Sequence, residues 1–151
     1  MNDAGYLQLA IDTAVKNVES GNGGPFGAVI LFPNGDTVAV GNSVTTTIDP
    51  TAHAEVNAIR AACAKAGVFN LEGCVLYSSC EPCPMCLGAA LWSRVDRIVF
   101  SADRYDAADA GFDDAAFYEK LAAGDVAERM ILDNSVQPFT TWSEYQLRTE
   151  Y

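Results

Sequence analysis

The chain has 151 residues, enough to enclose one hydrophobic core and too few for two full domains. Half the residues are hydrophobic and 19% are charged, which excludes a disordered chain and a coiled coil. Twenty acids against nine bases give a net charge of −11. The bases (Lys16, Arg60, Lys65, Arg94, Arg97, Arg104, Lys120, Arg129 and Arg148) are scattered, so the charge argues against nucleic acid as a partner.

The opening residues carry no basic segment followed by an apolar one, and no run approaches the ~18 apolar residues of a membrane span. A soluble, cytoplasmic protein with no membrane partner is expected. Leu7, Ile11, Ala14, Val15 and Val18 recur at helical spacing and predict a first helix, stopped by Gly21–Gly24. Ala28–Phe32 and Thr37–Gly41, joined through Asn34-Gly35, read as a hairpin. After the loop 42–51, the positions Val56, Ile59, Cys63 and Ala66 predict a second helix ended by Gly67. Cys74–Ser78 reads as a buried strand. Pro82 and Pro84, tolerated only in a first turn, open a helix continued by Met85–Trp92. Arg97–Ser101 predicts another strand. Beyond Ala102 the pattern weakens: Asp106–Tyr118 is acidic and Ala-rich, and a helix at Phe117–Ala123, a strand at Arg129–Leu132 and a helix at Phe139–Leu147 are expected. The order of elements predicts an α/β fold, one domain over 1–151, with a mixed central sheet between two helical layers.

The five cysteines are Cys63, Cys74, Cys80, Cys83 and Cys86. An odd count with three crowded together suits a reduced compartment and a metal or catalytic use better than a disulfide scaffold. Cys63 on an apolar helix face and Cys74 in a strand read as core. The one histidine lies in Thr51-Ala52-His53-Ala54-Glu55, at the head of the second helix, and Cys80-Glu81-Pro82-Cys83-Pro84-Met85-Cys86 heads the third. Alone, such a histidine is usually a satisfied polar residue, and a Cys-x-x-Cys is often redox-active or structural. Together, His53, Cys83 and Cys86 supply three donors for one zinc ion, from helix ends that favour thiolate, and leave a fourth position for water. Glu55 is then placed to bond that water without ligating the metal and to carry its proton.

His-x-Glu followed by Pro-Cys-x-x-Cys is the signature of zinc nucleobase deaminases, and the chain resembles the cytidine deaminase-like superfamily. Within it, the resemblance narrows to the bacterial guanine deaminases through residues 23–29, 49–55, 79–89 and 106–114. It is weakest over 119–137. The resemblance implies a cytidine deaminase-like fold and hydrolysis of guanine to xanthine and ammonia. It assigns zinc to His53, Cys83 and Cys86, proton transfer to Glu55, and a second acidic role to Asp114. Cys80 is not expected to ligate.

The resemblance also implies a pocket formed by Phe26, Asn42, Ala54, Trp92 and Tyr151. Asn42 would read the purine edge with both a donor and an acceptor, and Phe26 and Trp92 would stack on it. Against this, Asn42 could only cap a turn, Phe26 and Trp92 could be ordinary core, and Asp114 could cap a helix. In these relatives the last segment, here 138–151, crosses to a partner and closes the pocket with its terminal tyrosine, which makes a homodimer; a frayed tail is the alternative. Other readings of the whole chain are a tRNA adenosine deaminase, which its charge opposes, a deaminase of another small amino-substituted heterocycle, and a zinc-stapled binding module in which Glu55 has no task.

Overall fold

A computed structural model describes residues 1–151. Four strands, β1 (Gly27–Leu31), β2 (Thr37–Gly41), β3 (Val75–Cys80) and β4 (Arg97–Ala102), form one sheet in the order β2-β1-β3-β4. β1 runs antiparallel to β2 and β3, while β3 and β4 are parallel. Seven helices surround it: α1 (Asp3–Glu19), α2 (Val44–Thr47), α3 (Ala54–Ala66), α4 (Pro84–Ser93), α5 (Arg104–Asp109), α6 (Ala115–Ala123) and α7 (Gln137–Glu144). No helix is long and apolar enough to cross a membrane.

The sheet is covered on both faces because β1 and β3 alternate between them. Ala28, Ile30 and Leu76 point to α3 and α4 and pack with Ala54, Ala58, Ala62 and Ala90. Val29 and Tyr77 point the other way, against Ala10 of α1. That period-2 division is what a strand buried on both sides requires. In α3 the residues fully out of water are Ala54, Ala58 and Ala62, one turn apart, with Ile59 and Cys63 packed at the margin. The expected stripe through Val56, Ile59, Cys63 and Ala66 is therefore rotated onto alanines, whose small side chains bring the helix axis close to the sheet. In α1 likewise, Ala10, Ala14 and Asn17 are buried, and Val15 and Val18 are half-exposed.

The hairpin turns at Asn34-Gly35, with Gly35 at φ 90° and Gly35 N–H donating to Phe32 O at 2.9 Å. Two expectations are corrected. Arg129–Leu132 is not a strand but exposed irregular chain, because nothing in this molecule lies beside it to complete a ladder, and an unpaired strand has no stability of its own. The terminal helix starts and ends earlier than expected, at Gln137 and Glu144. Cys74 is buried and Cys63 packs against the same cluster, as expected of core thiols.

Candidate active site

Two helix starts meet at one end of the sheet. His53 is the N-cap of α3, extended at φ −66° and ψ 154°, and Cys83 is the N-cap of α4, at φ −66° and ψ 169° with Pro84 following. Proline fits there because its missing N–H would have no helical partner. Cys83 is thus the cap, and its sulfur reaches that of Cys86 from one residue outside the helix. The extended backbone at His53 likewise lets its ring point where a helical residue two before Glu55 could not.

The His53 Nδ1 lies 3.6 Å from Cys83 Sγ and 3.5 Å from Cys86 Sγ, and the two sulfurs are 3.6 Å apart. Zinc bonds thiolate at about 2.3 Å and imidazole at about 2.0–2.1 Å, so tetrahedral donors sit ~3.6–3.8 Å from one another. The triangle fits that ion to within about 0.2 Å, and it fixes Nδ1 as the nitrogen on the metal side. The hydrogen bond between the two sulfurs draws the Cys83 thiol down and pushes that of Cys86 up. The neighbouring Cys83 sulfur raises the His53 imidazolium.

Glu55, at the second position of α3, is buried, and burial pushes its carboxyl above the usual carboxylate range. Its Oε1 accepts from Ser78 Oγ at 3.0 Å, and its Oε2 lies 3.5 Å from Cys86 Sγ. The carboxyl is therefore adjacent to the donor triangle without belonging to it. Ser78, on the face of β3 toward α3, escaped the sequence reading; the signal was a polar residue at an inward position of an otherwise apolar strand.

A cavity of about 690 Å³ opens over this cluster, and Phe26, Asn42, His53, Glu55, Cys83 and Asp114 line it. Phe26 meets Phe112 edge to face at 5.0 Å. Asn42 is buried, and its Oδ1 accepts from Gly24 N–H at 3.3 Å and Val44 N–H at 3.1 Å. Both partners are donors, which settles the amide's orientation and leaves Nδ2 for the cavity. Asn42 presents a donor only, not the donor and acceptor expected. Its carbonyl is held by Asn17 Nδ2 at 2.8 Å, which also bonds Gly24 O at 2.9 Å. Asn17 was missed; it sits seven residues after Ala10 on the buried face of α1, a polar residue in a core stripe. Asp114 caps no N–H with its side chain, and partial burial raises its carboxyl.

Three expected contacts lie elsewhere. Ala54 is buried beside His53 and does not line the cavity. Trp92 is 67% exposed on α4, and its ring lies 6.2 Å from that of Tyr151, so these two meet each other outside the cavity of their own chain. Cys80 Sγ reaches Asp103 O at 3.5 Å and stays outside the triangle.

Residues 1–102 match the family model described as the cytidine and deoxycytidylate deaminase zinc-binding region. The chain is 46% identical to the guanine deaminase of Bacillus subtilis, and the match covers all of both chains. The chain belongs to the guanine deaminase family of zinc-dependent deaminases. The X-ray structure of guanine deaminase from Bacillus subtilis superposes with a TM-score of 0.94 at 42% identity, covering 100% of this chain and 99% of that one. A guanine deaminase structure from Nitrosomonas europaea gives 0.68 at 32% identity over 75% of this chain and 65% of its own. The similarity to the tRNA-specific adenosine deaminase of Aquifex aeolicus is 41% but covers only 64% of either chain. The cytidine deaminase-like fold and the zinc cofactor of the family accord with the mixed sheet and the His53, Cys83 and Cys86 triangle.

Proposed function

We propose that this deaminase hydrolyses free guanine to xanthine and ammonia. The observation that carries the reading is a buried carboxyl, Glu55, adjoining three metal donors in a cavity of about 690 Å³ that Phe26, Asn42 and Asp114 also line. His53, Cys83 and Cys86 would hold the family's zinc, which when bound would supply an acidified water for attack at C2. Glu55 takes one proton of the attacking water and delivers it to ring N3, then carries the remaining hydroxyl proton to the amine as the C2–N bond breaks and C2=O forms. Its raised affinity for a proton suits a group that must hold one between those two transfers. Asn42 Nδ2 donates to the carbonyl edge of the base, and Phe26 covers one ring face. Asp114 accepts a ring N–H or assists the amine's departure.

Ammonia release tests this with protein of measured zinc content, offered guanine, adenine, cytosine and an anticodon stem-loop. Turnover of guanine supports the reading, and release from the RNA alone overturns it. The charge of −11 favours the free base, since an anticodon loop calls for a basic surface.

The working unit is a homodimer formed by exchange of residues 138–151, in a reducing compartment such as the cytoplasm that keeps all five thiols free. Phe139, Trp142 and Tyr145 lie exposed along one side of the tail, and Leu91 and Trp92 are exposed on α4. Each is an apolar surface that a second copy would cover. Sedimentation of the full chain against a chain ending at Gln137 tests this; a monomeric full chain overturns it.

A further inference from the structure

Arg104 has no part in the chemistry above, yet it touches three segments that frame the cavity. It is the first residue of α5. Its Nε and Nη2 donate to Glu81 Oε1 at 3.1 and 2.7 Å, and its backbone N–H donates to Glu81 Oε2 at 3.0 Å. The other face of the guanidinium system stacks on Tyr118, 3.8 Å from the ring centroid. The Tyr118 hydroxyl in turn donates to Pro82 O at 3.5 Å. Glu81 and Pro82 directly precede Cys83, and Tyr118 lies one helical turn beyond Asp114.

Asp114 needs such support. Its side chain bonds none of the N–H groups of α6, and α6 buries no residue at all. The loop before it turns at Gly111, with φ 96°. Phe112 against Phe26 anchors the near end of this segment, and the stack of Tyr118 on Arg104 anchors the far end. A guanidinium can fork onto a carboxylate with its edge while presenting its face to a ring; an ammonium cannot do both.

We propose that Arg104 is a positioning residue that sets the place of Asp114 relative to the Cys83 loop, by clamping Glu81 and stacking on Tyr118. This rests on the reading in which Asp114 serves the reaction. Arg104 lines the cavity, but its guanidinium is engaged by Glu81 and Tyr118, so on this proposal it acts through Asp114. A shift of order 1 Å in a reacting group costs up to ~10²-fold in rate, which sets the expected scale.

The test measures kcat, KM, zinc content and Tm for Arg104→Met, Arg104→Lys, Tyr118→Leu and Tyr118→Phe, each alone and with Asp114→Asn. Arg104→Met, Arg104→Lys and Tyr118→Leu should lower kcat by about ten- to a hundredfold, with KM and zinc content close to the parent's. Tyr118→Phe keeps the ring and should keep the rate. In the Asp114→Asn background the penalty of Arg104→Met should vanish, because no carboxylate remains to be placed. A penalty that persists in full there, parent-like turnover of Arg104→Met, or zinc loss in proportion to activity overturns the proposal. Parent-like turnover of Asp114→Asn by itself removes the role of Asp114 and the proposal with it, and so separates failure of that reading from failure of the clamp.

Discussion

Glu55→Gln isolates proton transfer from everything else Glu55 does. A positioned acid–base group is worth 10²–10⁴ in rate, or about 2.7–5.4 kcal/mol of barrier, and glutamine removes it without changing the shape of the site. The Gln carbonyl can accept from Ser78 Oγ as Glu55 Oε1 does at 3.0 Å, and its NH2 takes the place of Oε2 beside Cys86 Sγ. A neutral amide also avoids the desolvation that burial imposes on the carboxylate. Zinc content should therefore match the parent's, Tm should be equal or higher, and kcat should fall 10²–10⁴-fold. Coupled ammonia release on enzyme whose zinc is quantified by mass spectrometry measures both. Turnover within about threefold of the parent at full zinc would refute the assignment, since general acid–base catalysis cannot be worth so little. Loss of zinc along with turnover would show that Glu55 holds the metal instead of carrying protons.

Three further outcomes are expected. Asn42→Asp keeps an acceptor for Gly24 and Val44 N–H but turns the cavity-facing donor into an acceptor; kcat/KM for guanine should fall roughly ten- to a hundredfold, the scale of 1–3 kcal/mol for an unmatched polar group, with Tm little changed. Gly41→Ala would drive a methyl onto the Asn17 amide, which supports Asn42; overpacking of this kind costs about 1–3 kcal/mol, and thermal melts should register it together with a raised KM. Tyr77 is buried with its hydroxyl donating to Asp3 Oδ1 at 2.7 Å, and burial pushes the phenol from 10.0 up to about 12. The folded chain then holds that proton more tightly than the unfolded one, so this contribution is complete below pH 10 and is lost as pH rises toward 12. Urea midpoints of the parent and Tyr77→Phe should converge across that window, and a constant gap would refute it.

The metal centre was legible because its chemistry leaves few substitutes: the residue types, their spacing and the proline before Cys83 all state the same requirement. The strands were legible too, since β1 is apolar throughout, β3 opens on Val75-Leu76-Tyr77, and both are flanked by turn residues. The inner faces of the helices were not. α1 and α3 approach the sheet on alanines, which carry little hydrophobic signal, so periodicity chose the larger residues at the margin. The supporting residues Asn17, Ser78 and Arg104 were missed for a related reason. Each acts through a partner 23–25 positions distant, Asn42 for Asn17, Glu55 for Ser78 and Glu81 for Arg104, and local pattern does not encode such pairs.

The C-terminal part shows what a sequence pattern omits in the other direction. Arg129–Leu132 has the composition of a strand, but a strand is a property of a pair, and β4 at the sheet edge has no neighbour on its outer side. Met130, Ile131, Phe139 and Leu147 are all largely exposed, and a single chain offers them nothing to cover. Exchange between two copies would answer both deficits at once, because it hides the tail's apolar side and supplies each cavity with aromatic groups that its own chain leaves outside. Trp92 and Tyr151, with rings 6.2 Å apart, are 67% and 72% exposed in one chain, so both offer apolar surface that the proposed exchange would cover.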